Sequence, residues 1–218
     1  MNAQLRAYYA EGSKTVRFDI AERLGWRLPL MIVAPIGSGA LYWKIFEGMN
    51  ELRELRLVDG PATRMSGGQA EGCSPVADAL PGKSGHTGPP RDGCPPAIGN
   101  PADGDLAVAT AQNSGCAVYA LAQDDIAPNI GKLARLTEIW GETATAVTYG
   151  ALKEAVRRAE PGSNDTVVLP VSGAGLETPG LVSGLVEPTT IAADSDAFLD
   201  LLETRSGARR LQPAFHGG

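Results

Sequence analysis

Leu30-Met31-Ile32-Val33-Ala34-Pro35-Ile36-Gly37-Ser38-Gly39-Ala40-Leu41-Tyr42-Trp43-Lys44 reads as a buried strand, a glycine turn and the start of a helix. Residues 30–35 are apolar without alternation, as expected of a strand covered on both faces. After the turn, Leu41, Ile45, Met49, Leu52 and Leu55 form one stripe and predict a long amphipathic helix. Glycine lets a backbone approach a ligand closely. The free N–H groups and positive dipole end of the following helix suit a phosphate. Glycine turns between strand and helix also serve architecture alone, so by itself the stretch speaks for fold more than for function.

Working outward, Ser13 is expected to cap a helix whose apolar face carries Val16, Phe18, Ile20, Ala21 and Leu24, ending near Gly25. Ala62 to Gln69 predicts a second strand despite two glycines. Asn100-Pro101 reads as an N-cap with proline at the first helical position, opening a helix that runs to Ser114-Gly115. A strand over Cys116 to Leu121, helices over 125–139 and 143–159, and a short strand over Thr166 to Leu169 follow. The 143–159 helix is expected to carry Val147, Leu152 and Val156 on one side. Asp194 to Leu202 closes the order as a helix, and 205–218 reads as a flexible tail. Strands alternating with helices point to α/β with a mainly parallel sheet.

The chain has 218 residues, 43% hydrophobic and 20% charged, enough for one sizeable core. A net charge of −6 leaves no footprint for nucleic acid or an anionic membrane. No segment approaches the roughly 20 consecutive apolar residues of a membrane span, and no basic-then-apolar leader opens the sequence, so the cytoplasm is expected. Cys73, Cys94 and Cys116 are widely spaced and suggest incidental thiols, with neither zinc site nor disulfide framework.

Several short motifs occur in a fixed order: Tyr8-Tyr9-Ala10-Glu11-Gly12-Ser13-Lys14-Thr15, the Ala34-to-Trp43 stretch, Gln69-Ala70-Glu71-Gly72, Ile98-Gly99-Asn100-Pro101, Gly141-Glu142-Thr143-Ala144 and Val171-Ser172-Gly173-Ala174-Gly175-Leu176. Together they resemble threonine synthase, a pyridoxal-phosphate enzyme of the tryptophan-synthase-β-like fold (fold type II). The resemblance covers residues 5–78 and 97–204. It implies that Gly37, Ser38, Gly39, Ala40 and Leu41 cradle the phosphate of pyridoxal 5'-phosphate. It implies too that the Ser172 hydroxyl pairs with the pyridine nitrogen, a neutral partner that weakens the ring as an electron sink. Asn100 is expected to line the substrate site, although a helix cap explains it equally well. Glu177 stands where the family often has lysine, reversing a charge. Glu71 and Glu142 are carboxylates beside glycines that could act as acids or bases, or simply be solvated or capping.

The resemblance also implies an absence. Such enzymes hold the cofactor on a lysine, which in this family precedes the region matched here. Lys14, Lys44, Lys83, Lys132 and Lys153 lie in no such motif and are read as solvated surface. His86 and His216 are not credible catalysts. The expected protein is therefore residues 1–204 of a C-terminal portion, acting on O-phosphohomoserine only in the intact family and inactive alone. Its exposed apolar faces would favour self-association. A non-catalytic α/β module binding a phosphorylated small molecule or a partner chain remains open. So does another fold type II enzyme, such as a cysteate synthase or serine/threonine dehydratase.

Residues 81–96, Pro-Gly-Lys-Ser-Gly-His-Thr-Gly-Pro-Pro-Arg-Asp-Gly-Cys-Pro-Pro, have no apolar periodicity and interrupt the resemblance. A local shift of reading frame, restored before Ile98, would produce this replacement. Translating the coding sequence across 81–96 in the other frames should recover a helix-and-strand pattern. Breaker-rich polypeptide in all three frames would refute the shift.

Overall fold

Residues 31–34 are fully buried, and Met31–Pro35 forms the strand β1. A computed structural model describes residues 7–80, 98–177, 179–182 and 189–206. The expectations for loop 81–96, and for the tail beyond residue 206, lie outside the described residues. The chain divides into a main unit, Met1–Leu185, and a short one, Val186–Gly218, whose described part contains a single helix, Ser195–Ser206.

In the main unit, β1 is joined by β2 (Arg64–Ala70), β3 (Val118–Leu121) and β4 (Val167–Val168). All pairings are parallel and the order is β3-β2-β1-β4. Met31 is level with Arg64 on one side and Val167 on the other. Side chains alternate across the pleat. Ile32 and Ala34 join a core with Ile45, Met49 and Leu52 of the helix Ala40–Glu54, together with Ala107 and Ala111 of the helix Gly104–Ser114. Met31 and Val33 join the opposite core, with Ile126 and Ile130 of the helix Ile126–Thr137 and Val147 and Ala151 of the helix Thr143–Arg157. The unalternating apolar run is thus a strand with helices on both faces, as predicted.

In chain order the helices are α1 (Ala7–Ser13), α2 (Val16–Arg23), α3 (Ala40–Glu54), α4 (Pro75–Asp78), α5 (Gly104–Ser114), α6 (Ile126–Thr137), α7 (Thr143–Arg157) and α8 (Ser195–Ser206). The two glycines of β2 have a steric reason. A Cβ at Gly67 would lie 3.1 Å from Tyr42 Cε2, on the α3 side. One at Gly68 would lie 2.9 Å from the Val147 carbonyl and 3.2 Å from Ala151 Cβ, on the α7 side. Each face of the central strand is bare where a helix crosses it. Tyr42 closes the first contact by donating its hydroxyl to the Met65 carbonyl at 2.7 Å.

Several local expectations need correction. Ser13 ends α1 instead of capping α2, and its hydroxyl donates to the Tyr9 carbonyl at 3.3 Å. Asn100 does not cap α5. That helix begins at Gly104, because the preceding residues are drawn against the glycine turn: Asp103 N–H donates to the Ser38 carbonyl at 2.8 Å. Leu55 and Val156 end exposed, turned away from cores that still bury their neighbours Leu52 and Ala155. Lys14 and Lys44 are buried, at 7% exposure each, contrary to the surface reading. Lys14 Nζ lies 2.7 Å from Glu11, 2.7 Å from Glu51 and 3.2 Å from Glu47, while Lys44 Nζ lies 3.0 Å from Glu11 and 2.7 Å from Glu47. Arg17 pairs with Glu51 as well. Packing three helices around these heads sinks the ammonium groups where only carboxylates can solvate them. Lys132 and Lys153 are exposed as expected.

The hydrogen bond from Lys14, opposed by burial and joined by one from Arg17, holds the Glu51 carboxyl below the usual carboxylate range. The contribution is therefore present above the unfolded-state value and lost as pH falls through the folded one. Because Glu51 is partly solvated, Glu51→Gln should cost roughly 1 kcal/mol at pH 7. Its melting temperature should also fall less steeply than the native one between neutral and acid pH. Parallel melting curves across that range would show that the cluster contributes nothing.

Candidate functional site

Parallel order places every strand's carboxyl end on one edge of the sheet, the edge where ligands of open α/β sheets bind. β1 runs there into Ile36–Gly39 and then α3; β4 runs into Ser172. Between Ile36 and α3 the chain reverses through Gly39, whose φ of 95° is left-handed backbone that glycine alone adopts without strain. Trp43 N–H donates to the Gly39 carbonyl at 3.1 Å, starting the helix ladder. The Ser38 hydroxyl accepts the Ala40 N–H at 3.4 Å, which leaves its proton free to donate. Leu41 and Tyr42, in the first turn of α3, have N–H groups with no acceptor within the helix.

The segment 98–104 closes over this turn. A Cβ on Gly39 would lie 2.7 Å from the Asp103 carbonyl oxygen, and one on Gly37 would lie 3.7 Å from Ile98 Cδ1. The structure therefore brings Ile98 and Asp103, on either side of Asn100-Pro101, to the glycine turn. Asn100 itself is exposed, beside a cleft of about 400 Å³ lined also by Pro75, Val76, Gly99 and Val108. A serine hydroxyl with its proton free and the N-terminal end of a fifteen-residue helix fit a phosphate.

Gln69 is the residue that sequence reasoning passed over within its own motif. It is buried, donates through Nε2 to the Ile36 carbonyl at 3.3 Å, and accepts the N–H groups of Val76 and Ala77 at 2.9 and 3.1 Å. One side chain thus ties the glycine turn to the first turn of α4. An amide in an otherwise apolar strand end was the available signal. Glu71 lies on the surface.

Ser172 is exposed after β4, on a loop held at its far side. Gly141 bridges Ala174 in antiparallel fashion, Glu142 N–H donates to the Gly173 carbonyl at 3.1 Å, and Gly175 N–H donates to the Trp140 carbonyl at 2.9 Å. A Cβ at Gly173 would run into the Glu142 carboxyl, and one at Gly175 into the Trp140 ring, so both glycines are close approaches. Glu142 precedes α7 without capping it. Burial, and then the Glu177 carboxylate, push its carboxyl above the ordinary value. Behind it, the Thr143 and Thr145 hydroxyls are fully buried with no hydrogen-bond partner among the described residues. Cys73 and Cys116 are buried free thiols, and among the described residues no cluster of His, Cys, Asp or Glu could hold a metal ion. No helix among them is long and apolar enough to cross a membrane.

The profile of the family described as "Pyridoxal-phosphate dependent enzyme" matches residues 2–173. The chain belongs to this family. The cofactor of this family is pyridoxal 5'-phosphate. The chain is 30% identical over 203 residues to a threonine synthase of Methanosarcina acetivorans, covering 91% of this chain and 50% of that protein. It is 25% identical over 204 residues to one of Methanocaldococcus jannaschii, with the same coverage of 91% and 50%. The chain thus spans about half the length of the curated relatives it matches. Among solved structures it resembles maize serine racemase, with a TM-score of 0.57, 16% identity, and coverage of 82% of this chain and 54% of that one. Serine racemase from Dictyostelium discoideum gives a TM-score of 0.52 at 15% identity, covering 78% and 51%. These likenesses show the fold: a parallel sheet flanked by helices, of the type II pyridoxal-phosphate class.

Gly39→Ala should strain a left-handed position by about 1–2 kcal/mol and push Asp103 off the turn. Hydrogen exchange should accelerate at the Asp103 amide, and the variant should melt earlier. Native exchange and melting in Gly39→Ala would mean that the 98–104 segment does not depend on this contact.

Proposed function

We propose that this chain is the cofactor-phosphate-holding portion of a threonine synthase, the enzyme that converts O-phosphohomoserine and water to threonine and phosphate. The observation that carries the reading is the meeting, at one sheet edge, of the Gly37-to-Leu41 turn, the Ile98-to-Pro101 segment and the Ser172 loop. Gly37, Ser38, Gly39, Ala40 and Leu41 bind and orient the cofactor phosphate. The Ser172 hydroxyl meets the ring nitrogen, and Asn100 faces the substrate side. Bound pyridoxal 5'-phosphate supplies the electron sink for proton abstraction and loss of the substrate's phosphate.

None of the described lysines supports covalent attachment. Lys14 and Lys44 are committed to carboxylates, Lys132 lies on the surface, and Lys153 donates to Asn129 at 2.8 Å. Lys83 lies outside the described residues. On this reading the described residues hold the cofactor and supply no lysine for its attachment. The names of the curated relatives quoted above favour threonine synthase over a dehydratase or cysteate synthase. The serine racemase likeness concerns fold alone.

Titration of the purified chain with pyridoxal 5'-phosphate, borohydride reduction and peptide mass mapping test the reading together. Saturable uptake with no labelled lysine is expected, with no threonine formed from O-phosphohomoserine. A single labelled lysine, or threonine formation, would establish a nucleophile in this chain. Equal affinity for phosphate esters that lack the aldehyde and ring would instead favour a phosphate-binding module.

A further inference from the structure

At the amino edge of the sheet, opposite the glycine turn, lies a cleft of about 330 Å³ lined by Leu24, Arg27, Leu28, Asp59, Pro61 and Thr166. Leu28 leads into β1, Pro61 into β2 and Thr166 into β4. Backbone hydrogen bonds fix one wall. Trp26 N–H donates to the Ala21 carbonyl at 2.7 Å, Asp59 N–H to the Trp26 carbonyl at 3.1 Å, and Leu28 N–H to the Asp59 carbonyl at 2.8 Å. Trp26 is left-handed, with a φ of 60°, a conformation that a bulky residue keeps only where its surroundings impose it. Arg27 and Asp59 are partners across the parallel bridge that results. No ion pair joins them to each other, or either one to another described residue. The cleft thus presents one uncommitted cation and one uncommitted anion beside three apolar side chains and the Thr166 hydroxyl.

We propose that this cleft binds a free α-amino acid with a small aliphatic side chain. The Arg27 guanidinium takes the carboxylate, for which its planar fork is suited. Asp59 takes the ammonium group, and Leu24, Leu28 and Pro61 cover the side chain. Thr166 can donate to the carboxylate or accept from the ammonium. A simple anion would meet Asp59 and a simple cation would meet Arg27, so the charge pattern favours a zwitterion over either. The volume lies at the small end of ligand pockets, which run from about 300 to 1,000 Å³. Both charged side chains are exposed, so each contributes modestly and the site is weak. It stands apart from the glycine turn by the five residues of β1, roughly 16 Å of strand, and does not depend on the cofactor reading. It touches the chain at the feet of β1 and β4, where the Thr166 carbonyl accepts the N–H groups of Leu30 and Met31 at 3.0 and 3.4 Å.

The test is an amide NMR titration of the full chain with L-valine, isobutylamine and isovalerate. The three carry the same branched side chain with both charges, the ammonium alone and the carboxylate alone. Valine should shift the amides of Arg27, Leu28, Asp59 and Thr166 saturably and leave those of residues 37–41 in place. The two singly charged analogues should bind about two- to fivefold more weakly. Asp59→Asn should weaken valine by a similar factor, and Arg27→Glu, which reverses the charge facing the carboxylate, should abolish saturation. Both side chains are exposed, so melting should be native in each variant and the loss is then one of binding. Shifts that fail to saturate, shifts centred on residues 37–41, equal affinity for valine and either analogue, or native affinity in Arg27→Glu would each overturn the proposal.

Discussion

The bare patch at Gly67 and Gly68 is the constraint on which the rest of the fold depends. β2 is an interior strand, and a strand there ordinarily fills its faces with branched side chains. Here one residue on each face is reduced to hydrogen, and the space is taken by Tyr42 and Ile36 from one side and Val147 and Ala151 from the other. Helices α3 and α7 therefore sit close to the same strand from opposite faces. Because α3 follows β1 directly and the start of α7 is bridged to the loop after β4, both helices begin at the carboxyl edge. The close approach in the core is what converges two helix N-termini on one site.

The site is assembled by backbone far more than by side chains. The glycine turn is set by the left-handed Gly39, by the Gln69 strut and by the Asp103 amide, each acting on main-chain groups. The Ser172 loop is set the same way, by a bridge and by two glycines that let Glu142 and Trp140 come close. Main-chain geometry tolerates drift in side chains. This is compatible with a chain about 30% identical to a threonine synthase keeping the strand-turn-helix geometry. It also leaves side-chain charge free to vary around the loop, as at the exposed Glu177.

The Lys14 and Lys44 cluster is a second organising device, away from the site. It fastens α1 and α2 to α3 through Glu11, Glu47 and Glu51, beside the apolar packing of Ile20 and Ala21. Tyr8, on the same short helix, remains almost wholly exposed. Pairing of this kind sets geometry more than it adds stability, because desolvating the ions offsets much of their attraction.

Much of the protein was legible in the sequence. The unbroken apolar run 30–35, the glycine turn and the Leu41-to-Leu52 stripe determined a strand buried on both faces feeding an amphipathic helix, because burial and periodicity are local properties of the chain. The ordered motifs determined the family and pointed to Gly37–Leu41, Asn100 and Ser172. Tertiary structure alone decided the rest. Ser13 and Asn100 have the chemistry of caps, yet Ser13 is absorbed into the last turn of α1 and the 98–104 segment is tied to the distant Ser38 carbonyl. Lys14 and Lys44 have the chemistry of surface residues, yet two helices pack carboxylates around them. Glu142 and Glu177 are far from Ser172 in character and, for Glu142, in sequence. The bridge between Gly141 and Ala174, with the flanking backbone hydrogen bonds, sets Glu142 against the Ser172 loop, and a pairing across some thirty residues leaves no local pattern to read.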